Sequence, residues 1–343
     1  MSLHRLKSLS SFWKGAILAL SWLAGISLLH YELNVEKSGR ARVLMGYMPV
    51  ITNLAAPVVD AATREREVRF EAVKFASFAE MAESFRAGSL QVGFIIAPLA
   101  IEMYRQGTPL KVVYIGNRHE STLVAPKDSP ARSLVDLVGK TVAVPIRYSG
   151  HLLAIRRILR HRGLRPDAVS TVEIQPPDMP AALASGGIDG YFVGEPFAST
   201  ALFTGTGKRL LDVESVWPRF ICNLMIVRED LLRERPRWVR MLVTASVRSG
   251  FWARGHPEEA VELVARYWNQ SPDLVRYTFT HPPGRFRFDL YTPSVEELQE
   301  VAREMRLAGF FNEELDLRGM VEDRFAREVE TGPVESLGDV LPR

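Results

Sequence analysis

The sequence of 343 residues contains one cysteine, Cys222. A single cysteine excludes an intramolecular disulfide and a metal cluster built on cysteine ligands. Because Cys222 lies far along the chain, no lipidated cysteine follows a leader segment. The chemistry of this protein therefore does not depend on paired or clustered thiols.

Motifs of common enzyme classes are absent as well. The chain has no G-x-S-x-G elbow, no H-E-x-x-H helix, no P-loop and no complete dinucleotide-binding pattern. The sequence GTGK at residues 205–208 lacks the following Ser or Thr of a phosphate-binding loop. We therefore predict that the protein is not an enzyme and uses no cofactor.

The seven histidines do not show the close spacing of metal ligands. We predict no metal site, although this pattern leaves open that His119 and His151 meet in a cleft.

An excess of charge is also missing from most of the chain. Three of the 43 basic residues, Arg5, Lys7 and Lys14, precede the first acidic residue, Glu32, so the remainder carries 40 basic and 40 acidic residues. Net charge therefore does not indicate a nucleic-acid partner. The aromatic and basic stretch THPPGRFRFDLY, residues 280–291, is interpreted as a loop that covers a helical C-terminal region.

The N-terminus has the pattern of a targeting segment. A basic opening ends at Lys14, and residues 15–29, GAILALSWLAGISLL, carry no charge. This order predicts export through a signal peptide or a membrane anchor within residues 1–35. No small-x-small cleavage pattern follows the apolar run, which favours an uncleaved anchor.

From Arg42 onward, short apolar runs alternate with amphipathic ones. Runs such as RVLMGYMP, LQVGFIIAP, TVAVPI and GYFVGEP predict strands, while FAEMAESFRAG and GHLLAIRRILRHRG predict helices. This alternation predicts an α/β fold with largely parallel sheets. After Arg228 the pattern predicts helices over residues 230–254, 256–269 and 294–308.

An internal repeat predicts two lobes. A shift of 98 residues places Gly88 on Gly186, and it also aligns two apolar strands and the prolines that follow them. Glycine suits the end of a helix and proline suits the first turn of the next. We therefore predict two similar α/β lobes with a ligand in the cleft between them, beyond the ends of the strands.

Candidate binding residues lie at the strand-to-helix junctions. After the first strand, Thr52 or Asn53 is predicted to cap a helix. Ser149 and Gly150 open another helix, whose N–H groups suit an anion with Arg147 as counter-charge. Glu195 is expected to be stabilised as an anion beside a helix N-terminus, and to face either an arginine across the cleft or a cationic or hydrogen-bonding ligand group.

These features together resemble the periplasmic substrate-binding proteins of the nitrate, sulfonate, taurine and bicarbonate class of ABC importers. The resemblance covers roughly residues 42–310 and is carried by VGEP at residues 193–196, by GKTVAVPIRYSGH and by the strand that ends in VRED. Binding proteins for thiamine-pyrimidine precursors are related to the same class. The resemblance implies a two-lobe fold of type II that closes on a small ligand.

By position, the resemblance implies a set of ligand-binding residues in the loops that face the cleft. These are Tyr47, Thr52, Asn53, Pro98, His119, Glu120, Arg147, Tyr148, Ser149, Gly150, His151, Glu195, Phe197 and Asn223. Expected partners are the ligand and a membrane permease with its ATPase, without nucleic acid, and we expect a monomer in the periplasm or on the outer face of the cytoplasmic membrane. The lobes are predicted over residues 41–123 and 124–222, and residues 223–343 return to the first lobe and add the helical C-terminal region.

The predicted function is therefore capture of a small anion and its delivery to a permease. Three alternatives remain at this point: a binding protein for a pyrimidine or another heterocyclic vitamin precursor, an extracellular ligand-sensing module, and a pyrimidine-synthesis type of enzyme on the same fold.

Overall fold

The computed structural model describes residues 11–34 and 40–342. The chain divides into one unit of residues 1–41 and a second unit of residues 42–343. In the first unit the apolar segment forms helix α1, Ser11–Asn34, with exposed side chains that include Trp13, Leu18 and Trp22. The predicted targeting segment extends to residues 1–10 and 35, which lie outside the described residues. None of the helices in the described ranges is both long enough and apolar enough to cross a membrane.

Ten strands follow in the part of the chain that the structure describes. They are β1 Ala41–Tyr47, β2 Val68–Lys74, β3 Val92–Ile96, β4 Leu110–Ile115, β5 Ser121–Pro126, β6 Thr141–Val144, β7 Ser170–Glu173, β8 Gly190–Gly194, β9 Gly207–Asp212 and β10 Asn223–Arg228. They form two five-stranded sheets, with the orders β2-β1-β3-β10-β4 and β7-β6-β8-β5-β9. The first sheet thus takes its fourth strand from much later in the sequence.

Both sheets are mixed, which corrects the prediction of largely parallel sheets. Strand β3 is parallel to β1, and β6 is parallel to β7 and β8. Strand β10 is antiparallel to both β3 and β4, and β5 is antiparallel to both β8 and β9. The two antiparallel strands, β5 and β10, are those that the chain enters immediately after it crosses from one sheet to the other. Each of them therefore runs opposite to its neighbours in the sheet that it joins.

The remaining helices lie between and after the strands. They are α2 Ala55–Thr63, α3 Phe78–Arg86, α4 Ala97–Arg105, α5 Gly150–His161, α6 Met179–Ala184, α7 Phe197–Phe203, α8 Glu229–Glu234, α9 Pro236–Gly255, α10 Pro257–Trp268, α11 Pro272–Thr280, α12 Val295–Leu307 and α13 Arg324–Arg327. The predicted helix over residues 230–254 is split at Pro236, because proline lacks the N–H that would continue the preceding helix.

The predicted repeat is confirmed in the backbone. Strands β3 and β8 are 98 residues apart at both ends, and every residue in both strands is buried. Gly88 and Gly186 follow α3 and α6 with φ angles of 78° and 75°, a conformation that glycine adopts without steric cost. The repeat therefore places Ala97 and Glu195 at equivalent positions, directly after two central strands.

Candidate functional site

The residues that directly follow β3 and β8 bind the connections that cross between the sheets. Residues 116–120 link β4 to β5, and residues 213–222 link β9 to β10. The N–H of Ala97 donates to the carbonyl of Cys222 over 3.0 Å, and the N–H of Glu195 donates to the carbonyl of Glu120 over 2.9 Å. Ala97 and Glu195 are equivalent in the repeat, so each copy holds one crossing connection in the same way.

The loop after β1 meets the loop after β8 directly. The N–H of Ile51 donates to the carbonyl of Glu195 over 2.9 Å, and the N–H of Thr52 donates to Oε2 of Glu120 over 3.3 Å. The prediction that Thr52 or Asn53 caps a helix is wrong, because residues Ile51–Asn53 form a 3₁₀ turn and no side chain caps α2. Their side chains are thus available for other contacts.

Asn223, the first residue of β10, joins these contacts. Its Nδ2 donates to Oγ1 of Thr52 over 2.9 Å and to Oδ1 of Asn53 over 3.0 Å. Nδ2 of Asn53 in turn donates to the carbonyl of Met48 over 2.9 Å. The start of β10, which directly follows the second crossing connection, and the loop after β1 are therefore fixed to each other by side chains that are buried.

We refer to the buried polar residues at this junction as the polar cluster. Its members are at most 2% exposed and come from both sheets: Thr52, Asn53, Glu120, Ser121, His151, Glu195 and Asn223.

Glu195 lies at the start of α7 and receives donors from three sides. The N–H of Ser199 donates to Oε2 over 2.7 Å, while Oγ1 of Thr122 and Nη1 of Arg285 each lie 3.3 Å from Oε1. Burial nevertheless raises the pKa of the Glu195 carboxyl, outweighing the opposing effects of Arg285 and Ser199. The prediction that Glu195 is stabilised as an anion is therefore wrong, because the cost of burying its charge is larger than the stabilisation that the helix N-terminus provides.

Arg285 is the arginine that faces Glu195, and it was not among the predicted site residues. Its side chain is 2% exposed, and its Nε and Nη2 donate to Oε1 of Glu214 and to the carbonyl of Ser121, each over 2.8 Å. Nη2 also lies 3.1 Å from Oδ1 of Asp212. The sequence showed a basic residue in a Pro-Gly loop, but Glu214 and Glu195 lie 71 and 90 residues away in the chain.

Glu120 is buried with one oxygen unpaired. Among the described residues Oε1 has no hydrogen-bond partner, and burial raises the pKa of this carboxyl to about 7 against the opposing N–H of Thr52. Gly194 makes room for it, because a Cβ at that position would lie 2.6 Å from Oε1. An unpaired buried carboxyl oxygen is an unused acceptor at the centre of the polar cluster.

His151 lies in the first turn of α5. Its Nε2 is 2.9 Å from Oγ of Ser121 and 4.0 Å from Sγ of Cys222, while Nδ1 has no partner in the described part of the chain. Burial lowers the pKa of the imidazole to about 3. The ring is therefore neutral near pH 7, and it offers a hydrogen-bonding nitrogen without a charge.

Four predicted residues lie apart from the polar cluster. The hydroxyl of Tyr47 donates to the carbonyl of Tyr267 in α10 over 3.1 Å, and Nε2 of His119 is 3.3 Å from the carbonyl of Pro218. Arg147 is exposed, with its guanidinium 4.9 Å from the centre of the Tyr148 ring, and that ring packs on Phe310. The structure thus does not place Arg147, the predicted counter-charge for an anion, at the polar cluster.

The other four predicted residues shape the backbone around the cluster. Pro98 and Phe197 occupy the first turns of α4 and α7 and are buried. Oγ of Ser149 accepts from the N–H of Leu152 over 3.3 Å and caps α5. A Cβ on Gly150 would lie 2.6 Å from the Phe220 ring, so an aromatic side chain covers the helix start that was predicted to receive an anion.

Comparison with known proteins gives a consistent picture. A model of the NMT1-like family matches residues 36–267. The taurine-binding periplasmic protein of Escherichia coli (strain K12) is 31% identical over 179 residues, which are 51% of this chain and 54% of that protein. An aliphatic sulfonates-binding protein of the same strain is 31% identical over 228 residues, 64% of this chain and 69% of that protein. The chain thus spans about half the length of the first relative.

Solved structures share the fold. The ligand-binding component of an ABC-type import system from Staphylococcus aureus matches with a TM-score of 0.77 and 21% identity, over 85% of this chain and 100% of that chain. The periplasmic aliphatic sulphonate binding protein SsuA from Escherichia coli matches with a TM-score of 0.69 and 18% identity, over 83% and 92%. The predicted α/β periplasmic binding protein fold is therefore confirmed.

The relatives include an enzyme. The 2′-hydroxybiphenyl-2-sulfinate desulfinase of Rhodococcus erythropolis is 33% identical over 85 residues, which are 25% of this chain and 23% of that protein. A solved structure of the desulfurization enzyme DSZB shares the fold, with a TM-score of 0.57 and 18% identity over 84% of this chain and 98% of that chain. The fold therefore serves both binding and catalysis, and the choice between them depends on the side chains of the site.

Proposed function

The chain belongs to the NMT1-like family, and we propose that it is the solute-binding protein of an ABC-type importer. In this proposal it captures a small anion between two lobes, residues 41–123 and 124–222, with the later residues completing the first lobe, and delivers it to a membrane permease with its ATPase. The taurine-binding and sulfonate-binding relatives support an anion of the sulfonate class over a heterocycle.

The polar cluster is the observation that carries the proposal. Buried hydrogen-bonding groups from the loops after β1 and β8, from the first crossing connection, from the first residue of β10 and from α5 converge where the two sheets meet. Ligands of open α/β sheets bind beyond the strand ends at such junctions. We propose Thr52, Asn53, Glu120, His151, Glu195 and Asn223 as ligand-contacting residues. Among them, the hydroxyl of Thr52, the second N–H of the Asn53 amide and the imidazole of His151 can donate hydrogen bonds to an anion. The amide of Asn223 can do so once the ligand replaces its contacts with Thr52 and Asn53.

The chemistry of Cys222 and His151 favours binding over catalysis. Burial raises the pKa of the Cys222 thiol well above its ordinary value, and Glu120 raises it further. The neighbouring imidazole has a pKa of about 3, which makes it a weak base near pH 7. A cysteine nucleophile needs a thiolate or a competent base beside it, and this pair supplies neither.

For location we propose the periplasm or the outer face of the cytoplasmic membrane. The basic-then-apolar order of the N-terminal segment supports export, and a periplasmic relative supports the compartment. We propose that the protein acts as a monomer, with the N-terminal segment serving as a signal peptide or an anchor.

Isothermal titration calorimetry of the purified full chain with taurine, ethanesulfonate and nitrate tests the proposal. At least one of the three should bind with one-to-one stoichiometry, and Asn223→Ala should weaken that binding at least tenfold, about 1.4 kcal/mol. Arg147→Ala is the matched control and should stay within threefold. Absence of binding heat for all three anions would contradict the proposal.

A further inference from the structure

The segment between α11 and α12 links the two sheets. We call residues 285–292 the strap. It lies beyond residues 36–267, which match the family model, and it contains Arg285, the guanidinium that reaches Glu195. Both ends of this short segment are held by different parts of the molecule.

One end of the strap is fixed beside the first sheet. The N–H of Ile115, the last residue of β4, donates to the carbonyl of Tyr291 over 2.9 Å. Phe288 packs against Gly250 of α9, where an added Cβ would lie 2.6 Å from the Cβ of Phe288. This contact leaves no space for a side chain at position 250, so the two backbones approach closely.

The other end is fixed in the second sheet through the side chain of Arg285. Its guanidinium donates to the carbonyl of Ser121 and to Oγ1 of Thr122 on β5, each over 2.8 Å. Glu195, Asp212 and Glu214 surround it at 3.3, 3.1 and 2.8 Å. Phe288 is only three positions after Arg285 in the sequence, so movement of one sheet away from the other must break the Arg285 contacts.

The same segment also holds the first crossing connection. Nε and Nη2 of Arg118 donate to the carbonyls of Leu290 and Thr292 over 3.2 and 3.3 Å. Nη2 of Arg118 also lies 2.9 Å from Oε2 of Glu297 in α12, and Arg219 of the second crossing connection donates to the other oxygen of Glu297 over 2.7 Å. Both connections that would bend during opening are thus tied to the strap or to the helix that follows it.

We propose that the strap is a latch over the polar cluster and that Arg285 is a positioning residue for Glu195. While Arg285 is in place, the Glu195 carboxyl is held beside Thr122 and the second sheet stays joined to the C-terminal region. When Arg285 leaves, three carboxylates lose their shared cation and repel one another. The cluster then becomes accessible to solvent and to a ligand.

Cys222 supplies a direct readout of this opening. It is the single cysteine of the chain, it is buried, and it lies in the crossing connection beside His151. The rate at which a maleimide labels Cys222 under native conditions therefore reports how often the cluster opens. This measurement uses no ligand, so its outcome is independent of whether the proposed anion binds.

The test compares Arg285→Gln with the unmodified full chain. We expect Cys222 to be labelled at least tenfold faster in the variant, and this acceleration should persist unchanged at low urea concentrations, as local opening does. Arg285→Lys retains the charge and loses the forked hydrogen bonds, so it should restore part of the slow labelling.

Two controls separate the latch from a general loss of stability. Arg287→Gln changes an exposed arginine of the same segment that pairs with Asp289, and Val264→Ala truncates a buried residue of α10; both should label at the unmodified rate. If Arg285→Gln does not fold, Glu214→Gln removes one partner of the guanidinium and should still accelerate labelling at least threefold. Labelling at the unmodified rate in a folded Arg285→Gln, or in Glu214→Gln where that variant is needed, would overturn the proposal.

Discussion

The backbone N–H of Ile51 donates to the carbonyl oxygen of Glu195 over 2.9 Å. Ile51 follows a strand of the first sheet and Glu195 follows a strand of the second. The two loops are therefore in direct contact at the candidate site, with Glu120 and Asn223 buried around them. A ligand that enters the polar cluster must therefore separate these loops or replace their contacts.

Replacement of Glu120 by glutamine should change how stability depends on pH. The carboxyl has a pKa of about 7 in the folded chain and 4.5 ordinarily, so between these values the folded state keeps a proton that the unfolded chain releases. The contribution of Glu120 to the free energy of unfolding is therefore fully present below pH 4.5, and this contribution is lost as pH rises through 7. At about 1.4 kcal/mol for each pH unit between these two pKa values, the loss reaches about 3–4 kcal/mol.

Urea denaturation of both proteins from pH 4 to pH 8 checks this prediction. The difference in the free energy of unfolding between the unmodified chain and Glu120→Gln should shift in favour of the glutamine variant as pH rises. Parallel pH profiles would show that Glu120 does not titrate abnormally.

Gly194→Ala should destabilise the protein by about 1–3 kcal/mol, the usual cost of overpacking. The added Cβ would lie 2.6 Å from Oε1 of Glu120, and the buried carboxyl has little space to move. Glu120→Ala in the same chain should remove much of this cost, because the two side chains contact each other. Urea denaturation measures the coupling, and Gly187→Ala, at an exposed glycine nearby, should cost clearly less.

Glu195→Gln should strengthen binding of ethanesulfonate about threefold to tenfold. The change removes a negative charge from the buried cluster while Arg285 retains Asp212 and Glu214 as partners, so repulsion of an anion falls. Calorimetric titration measures the affinity. A tenfold loss of affinity would instead indicate that the ligand donates a hydrogen bond to Glu195 or presents a cationic group to it.

Arg147→Ala should change ligand affinity by no more than threefold. The anion-binding role expected for this residue from the sequence does not fit its exposed position against Tyr148, where solvent and salt screen its charge. A tenfold loss in the same titration, at physiological salt, would return Arg147 to the binding site.

Features that depend on local sequence were predictable. Gly186 and Pro196 mark the end of one helix and the start of the next, and the equivalent positions Gly88 and Pro98 do the same 98 residues earlier. Glycine and proline act through their own backbone conformation, so their role can be inferred without knowledge of tertiary contacts. The two sheets and the loops that carry the site were inferred on this basis.

Features that depend on distant contacts were not predictable. Arg285 is 90 residues from Glu195 and 71 from Glu214, and no periodic pattern links such pairs. Burial determined the other outcomes, since it sets the unusual pKa of Glu120 and His151 while Arg147 stays in solvent. A sequence pattern indicates which groups lie on a loop, but the environment of each group follows from the packing of the whole chain.

Native mass spectrometry of the full chain tests the central claim most directly. The protein is incubated with an equimolar mixture of taurine, ethanesulfonate, nitrate and a neutral aminopyrimidine, and the mass of the bound species is read. The account predicts a one-to-one complex with one of the anions, reduced in Asn223→Ala and retained in Arg147→Ala. A complex with the aminopyrimidine alone, or anion binding that Asn223→Ala leaves unchanged, would contradict it.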